Sequence, residues 1–144
     1  VKIDKNYKLH IAGEFVDTEY ELYIKELIKK CGLEKNVQFY GLVENIAEWW
    51  EDKQYLLSTS ISEGMPYNII EAMAMGIKPV IHDFYDAKEL FEPQWLFRTV
   101  DEAVQKITSD DYNSAYYRAF VEHRYSLNKQ VAEFVKLFQN LTNE

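Results

Sequence analysis

Short apolar runs alternate along most of the chain with stretches in which apolar residues recur at helical spacing. The short runs predict β-strands, which cover residues 8–12, 36–40, 55–59, 79–81 and 95–97. The helical spacing predicts helices over residues 20–31, 44–51, 66–75 and 86–91. Gly32 and Gly76 follow two of these helices, where glycine commonly ends a helix. Strands that alternate with helices predict an α/β fold with a Rossmann-like parallel sheet flanked by helices.

After Thr99 the pattern becomes purely helical. A first apolar face carries Val100, Val104 and Ile107. A second apolar stripe follows Ser126, a residue type that commonly caps helix N-termini, and it consists of Val131, Phe134, Val135, Phe138 and Leu141. No repeat, linker or low-complexity tract interrupts the chain. The sequence therefore predicts one domain over residues 1–144 with a helical C-terminal tail.

Composition narrows the class of protein. The 144 residues are 47% apolar, which is enough for a packed core, and 24 acidic against 16 basic side chains give a net charge of −8. That balance disfavours a nucleic-acid or anionic-membrane surface, because phosphate binding needs clustered Lys and Arg. Cys31 is the single cysteine, which excludes an intramolecular disulfide and a Cys-rich zinc site. With no bilayer-length apolar run and no signal peptide, the sequence predicts a cytoplasmic protein.

The turn between the third predicted strand and the following helix carries the most informative chemistry. The strand ends near Thr59, a loop of small residues follows, and the helix is predicted to begin at Pro66, since proline is favoured at the first helical position. Gly64 allows a ligand close to the backbone. We expect the N–H groups of Tyr67 and Asn68 to be free at the helix start, a place suited to phosphate. In an open α/β sheet such a turn lies at the carboxyl edge, where ligands bind.

Two carboxylates flank this turn. Glu63 lies in the loop, and Glu71 lies inside the helix between apolar neighbours in sequence, so we expect an apolar environment around it. A charge in such an environment needs hydrogen-bond donors, and a carboxylate accepts bonds from paired sugar hydroxyls. A nucleotide sugar offers a diphosphate to the helix start and hydroxyls to both carboxylates.

The same residues resemble a known family. Glu63 and Glu71 are separated by seven residues and followed by Ala-Met-Ala-Met-Gly and Pro-Val-Ile, which resembles the E-x7-E region of retaining glycosyltransferases with the GT-B fold. Upstream, Leu9-His-Ile-Ala-Gly-Glu and Val37-Gln-Phe-Tyr-Gly-Leu-Val are similar to two further landmarks of that family, in the same order. The resemblance extends from Leu9 to about Ile107.

The resemblance implies the carboxy-terminal, donor-binding half of a two-domain, group 1 (family 4-like) enzyme. Glu63 would contact hydroxyls of the donor sugar as the catalytic-site residue, and Glu71 would hold the ribose. Val43 matches the position that lies against the nucleobase. The family transfers a sugar with retention of configuration, without a metal or a cofactor beyond the donor. The donor-binding backbone implied by the match consists of Gly64, Met65, Pro66, Tyr67 and Asn68.

Departures from the family pattern shape the remaining expectations. The family's diphosphate-neutralising Arg and Lys and its acceptor-binding domain have no counterpart in this chain, which also starts at Val1 rather than Met. We therefore expect a fragment of a longer enzyme, inactive alone, that binds a nucleotide sugar but not nucleic acid. An acceptor glycan, lipid or small molecule would bind the other domain, and the full enzyme would be free to associate with a membrane. Ile77 and Lys78 stand between Gly76 and Pro79, where the commoner pattern has one residue.

Two other readings stay open. The first is a non-catalytic nucleotide-sugar-binding or interaction module that keeps the fold. The second is a related GT-B phosphorylase or epimerase. His82, directly after the Pro-Val-Ile strand, is predicted equally well as a residue of the crevice and as a structural or solvated histidine.

Overall fold

A computed structural model describes residues 6–142, which fall into two compact units divided between residues 49 and 50. Each unit contains its own parallel sheet. The first has two strands and the second has three. Parallel strands joined by crossover helices agree with the predicted α/β pattern.

The first unit is built around one helical crossover. Strands β1 and β2 pair in parallel, with Leu9 opposite Val37, and helix α1 connects them. The Asp17 carboxylate caps α1 by accepting the Tyr20 N–H at 2.9 Å, and Gly32 ends it at φ +66°. The elements are β1 (Leu9–Ile11), α1 (Thr18–Lys30), β2 (Val37–Phe39) and α2 (Ile46–Trp50), the last of which runs into the second unit.

The predicted apolar face of α1 is only partly buried. Ile24 and Ile28 are half-buried, whereas Tyr20, Leu27 and Cys31 are exposed. The expectation that Cys31 lies on a buried face is therefore wrong. Two strands of three residues each offer a narrow surface, and the helix spans thirteen residues.

The second unit carries the larger sheet, with strand order β3–β4–β5 and all pairings parallel. Because the strands run in the same direction, their carboxyl ends meet at one edge. The predicted edge strand at residues 95–97 is confirmed as β5, preceded by a 3₁₀ turn at Pro93–Trp95. The other elements are β3 (Tyr55–Ser58), α3 (Tyr67–Ala74), β4 (Lys78–His82), α4 (Ala87–Leu90), β5 (Leu96–Phe97), α5 (Val100–Thr108), α6 (Ser114–Tyr125) and α7 (Leu127–Thr142).

The core of the second unit lies between α3, the sheet and α6. One face of α3 is fully buried, whereas its opposite face is open to solvent. Complete burial of side chains of this size contributes roughly 1.5–3 kcal/mol each. The core comprises Ile69, Met73, Ile81, Phe84, Phe91, Trp95, Leu96, Tyr117 and Val121, together with Ala87.

The C-terminal end of α3 is fixed by several hydrogen bonds. Gly76 adopts φ +84°, and its N–H donates to the Met73 carbonyl at 2.9 Å. The Arg118 guanidinium donates to the Met75 carbonyl at 2.7 Å, and the Tyr112 hydroxyl donates to the Gly76 carbonyl at 2.8 Å. Satisfied end carbonyls hold the helix that carries Glu71 in one position.

Helix α7 confirms the predicted C-terminal tail. The Ser126 hydroxyl accepts the Lys129 N–H at 3.4 Å, as expected for a cap. All five residues of the predicted apolar stripe are exposed in the structure. Within residues 6–142, no helix has both the length and the apolar character needed to cross a membrane.

Candidate functional site

The loop from β3 to α3 follows Ser58, the buried last residue of β3, and reaches the first helical residue at Tyr67. Pro66 is the N-cap residue rather than the first helical residue, which corrects the predicted helix start by one position. Its φ of −80° suits a helix, but its ψ of 81° does not. The Pro66 carbonyl still accepts the Ile69 N–H at 3.1 Å, so the proline begins the helical bonding.

The free amide donors of this turn differ from those predicted. The Tyr67 N–H donates to the Met65 carbonyl at 3.0 Å, so the expectation that it is free is wrong. The non-helical ψ of Pro66 folds the chain back and produces this contact. The backbone N–H groups of Asn68, Gly64 and Met65 have no hydrogen-bond partner among the residues described. These three backbone donors therefore remain available at the turn.

Both predicted carboxylates are accessible. Glu63 is half-buried and Glu71 is exposed. Neither side chain makes a hydrogen bond or ion pair with any residue in the range 6–142. The apolar environment expected around Glu71 is absent, because its apolar neighbours Ile69 and Met73 point into the core on the opposite face of α3. The oxygens of both carboxylates are free to accept bonds from a ligand.

Gly64 is not required by the fold. Its φ lies outside the left-handed region, and a Cβ added there would meet no atom within 4 Å. At Gly76, by contrast, φ is +84° and a Cβ would lie 2.8 Å from the Arg118 guanidinium. The space above Gly64 is open to a ligand.

The neighbouring strands contribute further side chains to the same edge. His82 ends β4, and its Nδ1 lies 3.1 Å from the Ser60 carbonyl in the β3–α3 loop. Asp83 follows His82, and Arg98 follows β5. The Arg98 Nε donates to Asp83 at 2.7 Å, and Lys88 approaches it at 3.6 Å. The hydrogen bond from Arg98 holds the pKa of Asp83 below its usual value, and both cations are engaged by this carboxylate.

A cavity of about 380 Å³ opens beside Asp83 and Arg98, but none of the predicted site residues lines it. The charged side chains on its walls already have partners. Lys88 and Arg98 contact Asp83. Glu102 accepts the Arg98 backbone N–H, and Lys106 donates to the Gln94 carbonyl. We therefore place the candidate site at the β3–α3 turn, where the two carboxylates and the N–H groups of Gly64, Met65 and Asn68 have no partner among the described residues. Residues 6–142 bring together no cluster of three His, Cys, Asp or Glu side chains suited to a metal ion.

Seven of the eight predicted site residues lie on this one turn and the helix that follows it. The eighth, Val43, belongs to the first unit, where it is half-buried and follows β2 and the Gly41 turn. The contact between His82 and Ser60 was not predicted, although the position of His82 after an apolar strand indicated that it would lie at the carboxyl edge.

Comparison with solved structures confirms the predicted fold. The chain is similar to a glycosyltransferase from Rickettsia africae, with a TM-score of 0.77 and 18% identity over 94% of this chain and 40% of that one. It is also similar to Anabaena HepE in complex with UDP-glucose, with a TM-score of 0.75 and 22% identity over 90% of this chain and 40% of that one. At these identities the likeness shows the α/β fold of GT-B glycosyltransferases and nothing finer.

Sequence comparison gives two curated relatives. The chain is 34% identical over 76 residues to an uncharacterized glycosyltransferase of Methanocaldococcus jannaschii, covering 53% of this chain and 18% of that protein. It is 30% identical over 91 residues to the GalNAc-alpha-(1->4)-GalNAc-alpha-(1->3)-diNAcBac-PP-undecaprenol alpha-1,4-N-acetyl-D-galactosaminyltransferase of Campylobacter jejuni, covering 62% of this chain and 24% of that protein. The chain therefore spans less than a quarter of the length of each.

The family model described as glycosyl transferases group 1 matches residues 1–109. This range contains both carboxylates of the β3–α3 turn and both upstream landmarks, so the family that the motifs predicted is confirmed. With this match over most of its length, the chain belongs to the group 1 family of glycosyl transferases.

Proposed function

We propose that the chain is the donor-binding domain of a retaining glycosyltransferase, which transfers a hexosyl-type sugar from a nucleotide-diphosphate sugar to an acceptor hydroxyl. The observation that carries the proposal is the β3–α3 turn. It presents two unpartnered carboxylates and three unpartnered backbone N–H groups at the carboxyl edge of a parallel sheet. The N–H groups can donate to a diphosphate, and the carboxylates can accept hydrogen bonds from the hydroxyls of two sugar rings.

Each part of the turn has a role in this proposal. The N–H groups of Gly64, Met65 and Asn68 stabilise the diphosphate, on which negative charge grows as the sugar–phosphate bond breaks. Glu71 accepts bonds from the ribose, and Glu63 accepts bonds from hydroxyls of the transferred sugar. Pro66 and Tyr67 shape the backbone of the turn. No metal or cofactor takes part in this scheme.

The relatives guide the choice of donor and acceptor. HepE is described in complex with UDP-glucose, and the name of the C. jejuni relative describes transfer to an undecaprenol-linked glycan. We therefore extend the proposal to a UDP-sugar donor. The acceptor, a glycan, a lipid or a small molecule, binds a part of the enzyme outside this chain. We place the enzyme in the cytoplasm. By associating with a membrane there, it would reach a lipid-linked acceptor.

One observation favours a second candidate, a non-catalytic nucleotide-sugar-binding module. Lys88 and Arg98 lie at the edge of the sheet but pair with Asp83. They are therefore not available as they stand to neutralise a diphosphate. If no cation from elsewhere completed the site, the turn would bind a nucleotide sugar without promoting its cleavage.

Ligand-observed NMR of the chain with UDP-, GDP- and ADP-sugars tests the proposal. We expect saturation transfer to one nucleotide, most readily to the UDP-sugar, and loss of that transfer in Glu71→Ala. Glu122→Ala, an exposed carboxylate on α6, is the matched control and should bind as wild type does. The method detects a Kd of ~1 mM, which corresponds to only about 4 kcal/mol. Equal signals from wild type and Glu71→Ala would contradict the proposed site.

Gly64→Ala should separate donor binding from stability. Because no atom lies within 4 Å of the added Cβ and φ is not left-handed, we expect the free energy of unfolding to change by less than about 1 kcal/mol. The methyl group would occupy the space we assign to the diphosphate, so the Kd for the donor should rise by about tenfold or more. Chemical denaturation and NMR titration measure the two effects. Wild-type affinity in a folded variant would place the diphosphate elsewhere.

A further inference from the structure

His82 is held in a defined orientation at the carboxyl edge of the sheet. It is half-buried at the last position of β4. Its ring packs edge-on against Phe97 of β5, with centroids 5.6 Å apart and planes inclined by 68°. Its Nδ1 lies 3.1 Å from the Ser60 carbonyl. Contacts on two sides of the ring therefore set both its position and its rotation.

The Ser60 contact assigns the proton on the imidazole. A carbonyl oxygen can only accept a hydrogen bond, so Nδ1 must carry the hydrogen and donate it. Nδ1 is thereby committed to the loop. In the neutral ring the opposite nitrogen, Nε2, then holds the lone pair.

Ser60 lies two residues after the end of β3 and three residues before Glu63. The parallel register of β3 and β4 ends at the pair of Ser58 and Ile81. Beyond this pair, the structure shows a hydrogen bond between residues 59–65 and a neighbouring strand, the bond from His82 to Ser60. Among the described residues, no other hydrogen bond joins this part of the loop to the sheet.

We propose that His82 is a positioning residue for the β3–α3 loop. Its Nδ1–H···O=C bond to Ser60 extends the attachment of the loop to the sheet beyond the β3–β4 ladder. This attachment fixes the place of Glu63 and of the Gly64 and Met65 amides. The consequence for donor binding rests on the function proposed above, whereas the consequence for the loop itself does not.

Three substitutions at position 82 separate the contributions of the side chain. His82→Phe keeps a ring against Phe97 but removes the donor. His82→Asn places an amide N–H near the position of Nδ1, and His82→Gln places one near the position of Nε2. A positioning role through Nδ1 predicts rescue by asparagine but not by glutamine. A role in packing alone predicts that phenylalanine is the best substitute.

The first readout is the backbone order parameter of residues 61–65, measured by ¹⁵N NMR relaxation of the chain without ligand. We expect values near ~0.85, those of rigid backbone, in wild type and a fall toward ~0.6 in His82→Phe and His82→Gln. His82→Asn should restore values near those of wild type. The order parameters of β4 serve as the internal control and should stay unchanged in every folded variant. If phenylalanine leaves the loop values as they are in wild type, or if asparagine and glutamine behave alike, the proposal is wrong.

The second readout is the Kd of the donor identified in the nucleotide panel. His82→Phe should weaken binding about tenfold and His82→Asn should restore it. Silence of every nucleotide toward wild type would count against the proposed function and would leave the loop order parameters as the test of His82. Unchanged donor affinity combined with lower loop order parameters would show that the loop position does not govern binding, which would overturn the link to Glu63. If His82→Phe does not fold, the comparison of asparagine with glutamine decides both readouts.

Discussion

Lys78→Met should destabilise the protein more than any other single substitution of a charged residue in the second unit. We expect a loss of about 2–3 kcal/mol in the free energy of unfolding and a fall in Tm of roughly 6–12 °C. The side chain is only 3% exposed, although its charge is at the amino end of a central strand. Thermal and chemical denaturation at pH 7 measure the effect.

The reason is the set of acceptors around the ammonium group. Lys78 Nζ donates to the Lys106 carbonyl at 2.6 Å, to the Ser109 hydroxyl at 2.8 Å and to the Asp111 carboxylate. All three N–H donors of the ammonium are thus used. The Lys106 carbonyl belongs to the last turn of α5, where helix carbonyls lack partners. Methionine keeps the apolar stem but leaves these groups without their cation. Because Asp111 is 69% exposed, it regains water, which keeps the loss below that of a fully buried pair.

Two controls define this prediction. Lys88→Met removes an exposed cation 3.6 Å from Asp83 and should cost less than about 1 kcal/mol. Asp111→Asn removes the anion and keeps the lysine. The Lys78 hydrogen bond, followed by that from Ser109, holds the pKa of Asp111 below its usual value. A carboxyl group whose pKa is lower in the folded than in the unfolded state stabilises the folded protein at pH values above its unfolded pKa. The difference in free energy of unfolding between wild type and Asp111→Asn should therefore be present at pH 7 and shrink below about pH 4. Equal losses from Lys78→Met and Lys88→Met would contradict the role of the buried cation.

The ends of helices could be predicted from the sequence because they depend on residue types that are close together along the chain. The two helix ends at Gly32 and Gly76 are examples, since both glycines adopt the left-handed φ that other residues avoid. The exposure of Glu71 was also within reach. Ile69 and Met73 are four residues apart and share a face of α3, whereas Glu71, two residues after Ile69, points away from it. The apolar neighbours of Glu71 in sequence suggested that it is buried, whereas its position around the helix places it on the exposed face.

Other features depend on contacts that the sequence does not encode locally. The Tyr67 N–H is taken by Met65 because of the ψ of Pro66, which the proline ring does not fix. The acceptors of Lys78 lie 28 to 33 residues further along the chain. The contact between His82 and Ser60 follows from the register of β3 and β4. Register and long-range pairing appear only when the elements are packed together.

Replacing the two carboxylates should have the largest effects on function. In the two-domain enzyme that our proposal implies, we expect Glu63→Gln to lower kcat about 100-fold or more, because its contacts to the transferred sugar matter most in the transition state. Glu71→Gln should raise KM for the donor about tenfold with a smaller change in kcat, because the ribose is held equally before and during transfer. Both variants should unfold like wild type, since neither carboxylate bonds to another residue of the 6–142 range. Glu122→Gln is the matched control on an exposed helix face.

The same pair distinguishes the two roles in the chain itself, without any measurement of transfer. If Glu71 holds the ribose and Glu63 holds the transferred sugar, Glu71→Gln should weaken binding of both UDP and the UDP-sugar. Glu63→Gln should then weaken only the UDP-sugar and leave the Kd of UDP unchanged. A loss of UDP affinity in Glu63→Gln would reverse the assignment of the two carboxylates. The two variants could also show this binding pattern while the two-domain enzyme that carries them turns over as wild type does. That result would favour the non-catalytic module, because the donor would be recognised at a turn that does not promote its cleavage.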